Sequence, residues 1–131
     1  MTGSQADEDF FRAHPQELPL YVAVRERVFA AFPGTRVVVY KTQIAFRDQR
    51  NYCWAWLPVR RVRGRPEVYI VVTFVLAERL ASPRIVEAVN PRPGRWTHHV
   101  VVQAPAEVDG ELLGWISAAH QLAHQRPLPD Q

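Results

Sequence analysis

The chain has 131 residues, 47% of them hydrophobic and 22% charged, with a formal net charge of +3. A chain of this length lies within the usual range of one domain and buries roughly two thirds of the surface its unfolded form exposes, so it needs neither a disulfide nor a metal to fold. Its one cysteine, Cys53, excludes an internal disulfide and reads as a small apolar residue between Tyr52 and Trp54, which points to a reducing compartment.

Residues 1–9 are polar and acidic, the opposite of the cationic and then apolar pattern of a secretory signal, so the expectation is a flexible leader on a cytoplasmic protein. Asp7 to Ala13 has the makings of a short helix that His14-Pro15 ends, because a residue before proline is pushed out of the helical region. From Pro19 to Phe32 the apolar residues Leu20, Tyr21, Val24, Val28, Ala31 and Phe32 recur at helical spacing, and Pro33-Gly34 stops the run.

The period then changes. β-Branched and aromatic residues dominate Arg36 to Lys41, Gln43 to Arg47, Asn51 to Leu57 and Glu67 to Leu76, which predicts four strands joined closely enough to pair antiparallel. The longest apolar stretch, Tyr69 to Ala77, is about half the ~20 residues of a membrane span and reads as a buried strand; no membrane partner is expected.

Ser82-Pro83 offers a helix cap followed by proline at the first helical position, predicting a short helix over Pro83 to Val89 that Asn90-Pro91-Arg92-Pro93-Gly94 breaks. Thr97 to Gln103 is a fifth strand. A last helix runs from about Ala106 to His124, with acids Glu107, Asp109 and Glu111 in its first turns, where the helix dipole favours them. Together these elements predict one two-layer α+β domain over residues 10–124, with an antiparallel sheet of about five strands, N- and C-terminal helices on one of its faces, and a loose tail over 125–131.

The charge is unevenly distributed. Between Arg36 and Arg65 eight basic residues stand against the single acid Asp48, while both ends of the chain are acidic. The densest cluster is the loop Arg60-Arg61-Val62-Arg63-Gly64-Arg65, which suits phosphate contact without base specificity, or simply a solvated surface.

Several chemistries lack their residues. The glycines form neither G-x-x-x-x-G-K nor G-x-G-x-x-G, and Ser4, Ser82 and Ser117 lack the G-x-S-x-G elbow, so no nucleotide cradle and no serine nucleophile is expected. His120 and His124 stand one helical turn apart, but Gln121 occupies the place where a zinc protease needs its glutamate; no metal, cofactor or catalytic residue is assigned. His98 and His99 are adjacent in a strand and point to opposite faces, one of them inward.

The positive signal is the third strand. Strict alternation puts Tyr52, Trp54 and Trp56 on one face and Cys53 and Ala55 on the other. If the small residues pack under the helices, the aromatic face looks outward beside Tyr40, Arg47 and Tyr69 as an aromatic and cationic platform, suited to single-stranded nucleic acid or a planar anion. The competing reading makes the tryptophans core and the arginines a solvated rim.

Leu20-Tyr21 and Arg25, Lys41-Thr42-Gln43-Ile44-Ala45-Phe46, Leu57-Pro58, Ser82-Pro83-Arg84, Trp96-Thr97-His98-His99 and the ending Leu112 to Ala119 together resemble domain-of-unknown-function family 5655, within the small bacterial YdhG-like and YjbR-like domains, over about Phe10 to Ala123. The resemblance implies fold more than activity. YjbR-like relatives resemble double-wing DNA-binding domains, and related domains are fused to nuclease-like or restriction-associated regions, which favours nucleic acid as a partner. The expected function is therefore a non-enzymatic module for nucleic acid or another polyanion. Lys41, Arg47, Arg50, Arg60, Arg61, Arg63 and Arg65 would contact phosphates, Tyr52, Trp54 and Trp56 would stack on bases, and Trp96, His98 and His99 would border the same surface. The alternatives are a small anionic-ligand pocket where the Trp96 to His99 strand meets the basic hairpin, with Lys41 on the anion, or a protein-interaction module for which a homodimer would be the natural partner.

Overall fold

The computed structural model of the protein describes residues 5–58 and 64–124. In chain order these form α1 (Gln5–Asp9), α2 (Leu18–Ala31), β1 (Arg36–Val39), β2 (Ile44–Asp48), β3 (Arg50–Trp56), β4 (Ile70–Leu76), β5 (Ile85–Arg92), β6 (Arg95–Val102), a 3-10 turn (Pro105–Glu107) and α3 (Gly110–Ala123). The strands make one antiparallel sheet of order β1-β2-β3-β4-β6-β5. Among the described residues no helix is long and apolar enough to cross a membrane.

The core lies between one face of the sheet and the helices. Alternate strand residues supply it: Ile44 and Phe46 from β2, Cys53 and Ala55 from β3, Ile70, Val72 and Phe74 from β4, Val100 and Val102 from β6. Leu20, Tyr21, Val24 and Val28 of α2 and Leu112, Ile116 and Ala119 of α3 complete the same cluster. The period-2 pattern of the strands thus meets the helical period of the two long helices across a single apolar layer. Helix α2 begins at a proline-containing first turn and gives way at Phe32, ahead of Pro33. Helix α3 starts at Asp109, whose carboxylate accepts from the Leu112 N–H at 3.0 Å. That backbone hydrogen bond, with Arg84 beside it, holds the Asp109 carboxyl below the usual range.

The acidic N-terminal segment is anchored. Asp7 is fully buried, accepting from the Tyr21 hydroxyl at 2.6 Å and from Arg25 at 3.1 Å. Burial, followed by the hydrogen bond to Asp7, pushes the Tyr21 phenol upward. Part of the expected flexible leader is therefore a short helix docked on α2.

Two expectations fail for identifiable reasons. Ser82-Pro83 does not open a helix: the Ser82 hydroxyl accepts from the Arg84 N–H at 3.2 Å and its carbonyl from the Ile85 N–H at 3.0 Å, a tight turn that feeds β5. The edge of β6 was available, Ile85, Val86 and Val89 favour a strand, and Gly94, at φ +74°, closes the β5–β6 hairpin. The sheet gains a sixth strand.

The second failure is the face of Tyr52. Phe46 pairs with Cys53 but Arg47 pairs with Asn51, a bulge that leaves Tyr52 without a partner and turns it to the helix side. There its ring packs edge-on to Phe32 at 5.7 Å and His120 at 4.8 Å, and its hydroxyl lies 2.6 Å from that of Thr35. Trp54 and Trp56 alone keep the outward face.

Candidate anion-binding site

The β2–β3 hairpin, the end of β4, the β5–β6 hairpin and the last turn of α3 converge at one end of the sheet. Between them is an open cleft of about 230 Å³ lined by Arg50, Asn51, Trp54, Arg92, Arg95 and the apolar side of α3 at Ala119, Leu122 and Ala123, with Tyr52 and Val75 behind. Three guanidinium groups line it and no carboxylate does. Among the described residues none of the three pairs with an acid: Arg50 donates only to the Ala123 carbonyl, at 3.5 Å, and Arg95 to the Gly94 carbonyl at 2.8 Å.

Arg92 and Arg95 are also directly opposite one another in the β5–β6 register. Like charges facing across a strand pair destabilise it unless something negative lies between or beside them. The cleft therefore combines an uncompensated positive field, a half-buried indole wall and an apolar floor. Such a lining has the chemistry to accommodate an anionic group attached to something flat or apolar.

The open face of the sheet continues from this cleft. Trp54 and Trp56 lie on it, both half-buried, and Ala45 and Val71, their register partners on β2 and β4, are fully buried but stand outside the core cluster under the helices. Arg47 donates to the Asn51 side-chain Oδ1 at 3.3 Å, and the Asn51 Nδ2 donates to the Tyr40 hydroxyl at 3.1 Å, so these residues form a polar strip across β1 to β3. Tyr69, by contrast, is buried.

His99 sits in the middle of the same face. Its Nδ1 is 2.8 Å from the Thr73 hydroxyl, which accepts from the Trp56 indole N–H at 2.8 Å, and its Nε2 is 3.7 Å from Glu87. Because indole only donates, the threonine oxygen accepts there and has its own hydrogen for Nδ1, leaving the other imidazole hydrogen to face Glu87. Burial holds the His99 pKa below its ordinary value, opposed by Glu87 and reinforced by the positive charge of Arg65. The order hydroxyl, imidazole, carboxylate resembles a nucleophile relay, but every hydrogen in it is already directed at a neighbour, and its evident effect is to hold the Trp56 ring to β4 through Thr73 and edge-on to His99 of β6.

The expected site residues therefore separate. Arg50 and Trp54 meet in the cleft, while Arg47, Trp56 and His99 share the open face beyond it. Lys41 is exposed in the β1–β2 turn, at the other end of β2 from Arg50. Arg65 is half-buried; Arg60, Arg61 and Arg63 lie outside the described residues. Trp96 and His98 do not border the open face: both lie on the helix side, where Arg79 covers the Trp96 ring at 5.9 Å. His98 is fully buried, stacks on Phe74 at 5.4 Å and accepts from the Leu80 N–H at 2.9 Å.

Arg92 and Arg95 were missed by the sequence reading. The signal was present in Arg92-Pro93-Gly94-Arg95, whose proline and glycine read as the end of a helix but equally mark a hairpin turn that sets two arginines side by side.

A family model described as Domain of unknown function (DUF5655) matches residues 6–123, and the chain belongs to that family. No curated protein and no solved structure matches it.

Proposed function

We propose that this DUF5655 protein is a binding module for single-stranded nucleic acid, anchored by a phosphate in the cleft of Arg50, Arg92 and Arg95 with a base against Trp54. The observation that carries the reading is the set of three arginines around one indole, none with an acid partner among the described residues and two of them opposed across a hairpin. A small rigid anion would leave the rest of the surface unused. A strand leaving the cleft along the open face would pass Trp54 and then Trp56 and find Arg36 and Arg47 alongside, with Lys41 and Arg65 toward the far end of the sheet. Stacking on indole is worth roughly 1 to 3 kcal/mol per base and tolerates any sequence, so modest base preference is expected. The single buried Cys53 suits a reducing compartment such as the cytoplasm, and the resemblance to the bacterial YdhG-like and YjbR-like domains supports a bacterial source and nucleic acid as the partner.

The test is fluorescence anisotropy with labelled single-stranded DNA, single-stranded RNA and duplex at about 50 and 200 mM salt, comparing the wild type with the Arg50→Glu/Arg95→Glu variant. Three phosphate contacts on a single strand give a slope of about −2 in log affinity against log salt. Binding with that dependence, lost in the folded variant and accompanied by tryptophan quenching that Trp54→Leu removes, is the expected result. No binding of any of the three at about 50 mM salt overturns the reading, as does binding that the double variant leaves unchanged.

A further inference from the structure

Beside the cleft the β2–β3 hairpin meets the end of α3 in a cluster that the anion-binding reading does not use. Asp48 Oδ2 is 3.1 Å from His120 Nε2 and 3.9 Å from His124 Nε2, and ligand atoms of the three side chains all lie within 4.8 Å of one another. The geometry points to a binding site for a first-row divalent transition cation of the zinc type, held by Asp48, His120 and His124.

The decisive detail is the orientation of His124. Its Nδ1 is 2.6 Å from the His120 carbonyl oxygen, and a carbonyl only accepts, so Nδ1 carries a hydrogen. In the neutral ring Nε2 is then a bare lone pair. That atom is buried, has no hydrogen-bond partner among the described residues, and faces a carboxylate oxygen. Two acceptors facing each other inside a protein need a positive charge between them, and a metal ion or a second proton on His124 supplies it.

Three features favour the metal. A tetrahedral or octahedral ion with bonds of about 2.0 to 2.1 Å sets its ligand atoms about 2.9 to 3.4 Å apart, so the 3.1 Å pair already fits, the 3.9 Å pair has to close by about half an ångström, and the two imidazole nitrogens, within 4.8 Å of one another, have to draw together by up to about 1.4 Å. His124 caps α3, where a small adjustment costs least. The two imidazoles lie one turn apart with rings 4.1 Å apart and 28° from parallel, both Nε2 atoms directed at Asp48.

The surroundings hold the ligands in place. Phe32 stacks on His120 at 4.3 Å and Tyr52 meets it edge-on, while the His120 carbonyl holds His124 as second-layer groups hold the imidazoles of metal sites. Each of the three side chains is between 20% and 28% exposed, so an ion can enter from solvent. Two histidines and one carboxylate suit zinc, cobalt(II) or iron(II) rather than calcium or magnesium, and three protein ligands leave at least one position for water or an exogenous ligand.

The inference is independent of nucleic-acid binding and is tested without any. Purified full-length protein, stripped with chelator and dialysed, is titrated with Zn²⁺ by calorimetry and with Co²⁺ by visible absorption, and its thermal midpoint is read with and without Zn²⁺. The expected result is one ion per chain, Co²⁺ d–d bands, and a midpoint raised by roughly 5 to 10 °C at about a hundredfold excess over Kd. His124→Ala keeps the Phe32–His120 stack and should weaken binding at least about tenfold, with an unchanged midpoint in the absence of metal reporting that it is folded. Asp48→Asn should do the same. Absence of any metal-dependent shift, with His124 carrying hydrogens on both ring nitrogens at pH 7 by NMR, overturns the inference in favour of an ion pair. So does Zn²⁺ binding of equal strength in the wild type and His124→Ala.

Discussion

Replacing Asp7 with alanine tests the most buried charge in the protein. The carboxylate is fully buried and takes the Tyr21 hydroxyl at 2.6 Å and the Arg25 guanidinium at 3.1 Å, so its removal strips one partner from each of two groups packed under α1. Breaking a buried ion pair from one side costs about 3 to 5 kcal/mol when the remaining charge is stranded. Arg25 is not stranded completely, because Glu8 at 3.2 Å and the half-exposed Glu26 at 3.4 Å remain, which places the loss nearer the bottom of that range. The orphaned Tyr21 hydroxyl adds roughly 1 kcal/mol. A loss of about 3 to 4 kcal/mol corresponds to a fall of roughly 10 to 20 °C in thermal midpoint for a domain of this size. Urea unfolding of Asp7→Ala, Arg25→Met and the double variant measures it, and the double variant should be more stable than the sum of the two losses predicts, since neither charge is then left alone. Strictly additive losses, or a cost below about 0.5 kcal/mol for Asp7→Ala, would refute the idea that this pair fastens the N-terminal segment to the core.

Stability should also depend on pH through His98 and His99, both of which burial holds below the ordinary histidine pKa. Above the unfolded value of about 6.5 both states are neutral and the contribution is fully present; as pH falls below it the unfolded chain takes up protons that the folded one resists, so the urea midpoint should drop between pH 7 and 5 and drop less in His99→Gln. A midpoint that holds or rises over that interval counts against this. Ile116→Ala, at a fully buried position where α3 packs on the sheet, should cost about 2 to 5 kcal/mol by chemical denaturation; a cost under 1 kcal/mol would mean that α3 is not packed as described. Trp56→Phe keeps the ring but removes the donor to Thr73, and should cost about 1 kcal/mol while altering the NMR shifts of His99; unchanged His99 resonances would show that the relay is not formed.

How legible these features were depended on how far each lies from its partners in the chain. Leu20, Tyr21, Val24 and Val28 announce α2 through spacing alone, and the alternation in β3 correctly sets Cys53 and Ala55 on one face, because both patterns are local and repeated; that this face lies under the helices was left open by the alternation and is decided by the packing. Ser82-Pro83 is different: the same dipeptide starts helices and turns, and the free edge of β6, more than ten residues downstream, decides between them. Tyr52 fails for a similar reason. Alternation holds only while the register holds, and the one-residue bulge opposite Phe46 and Arg47 follows a hairpin turn in which Gln49 adopts φ +67°, a left-handed conformation no local pattern signals. Arg92 with Arg95 needed the hairpin to be foreseen, and Asp48 with His120 needed contact between residues 72 positions apart.

The two strands at the margins of the sheet carry a further implication. At one margin β1 has four residues, begins with the exposed Arg36 and stops before the Tyr40 turn; at the other, β5 is broken by two register irregularities and contains Glu87, Pro91 and Arg92. Each offers a growing chain of backbone hydrogen bonds too little regular, uncharged edge to extend. Both margins are therefore poor templates for strand-by-strand addition, which offsets the exposure of Val86 and Val89 on β5.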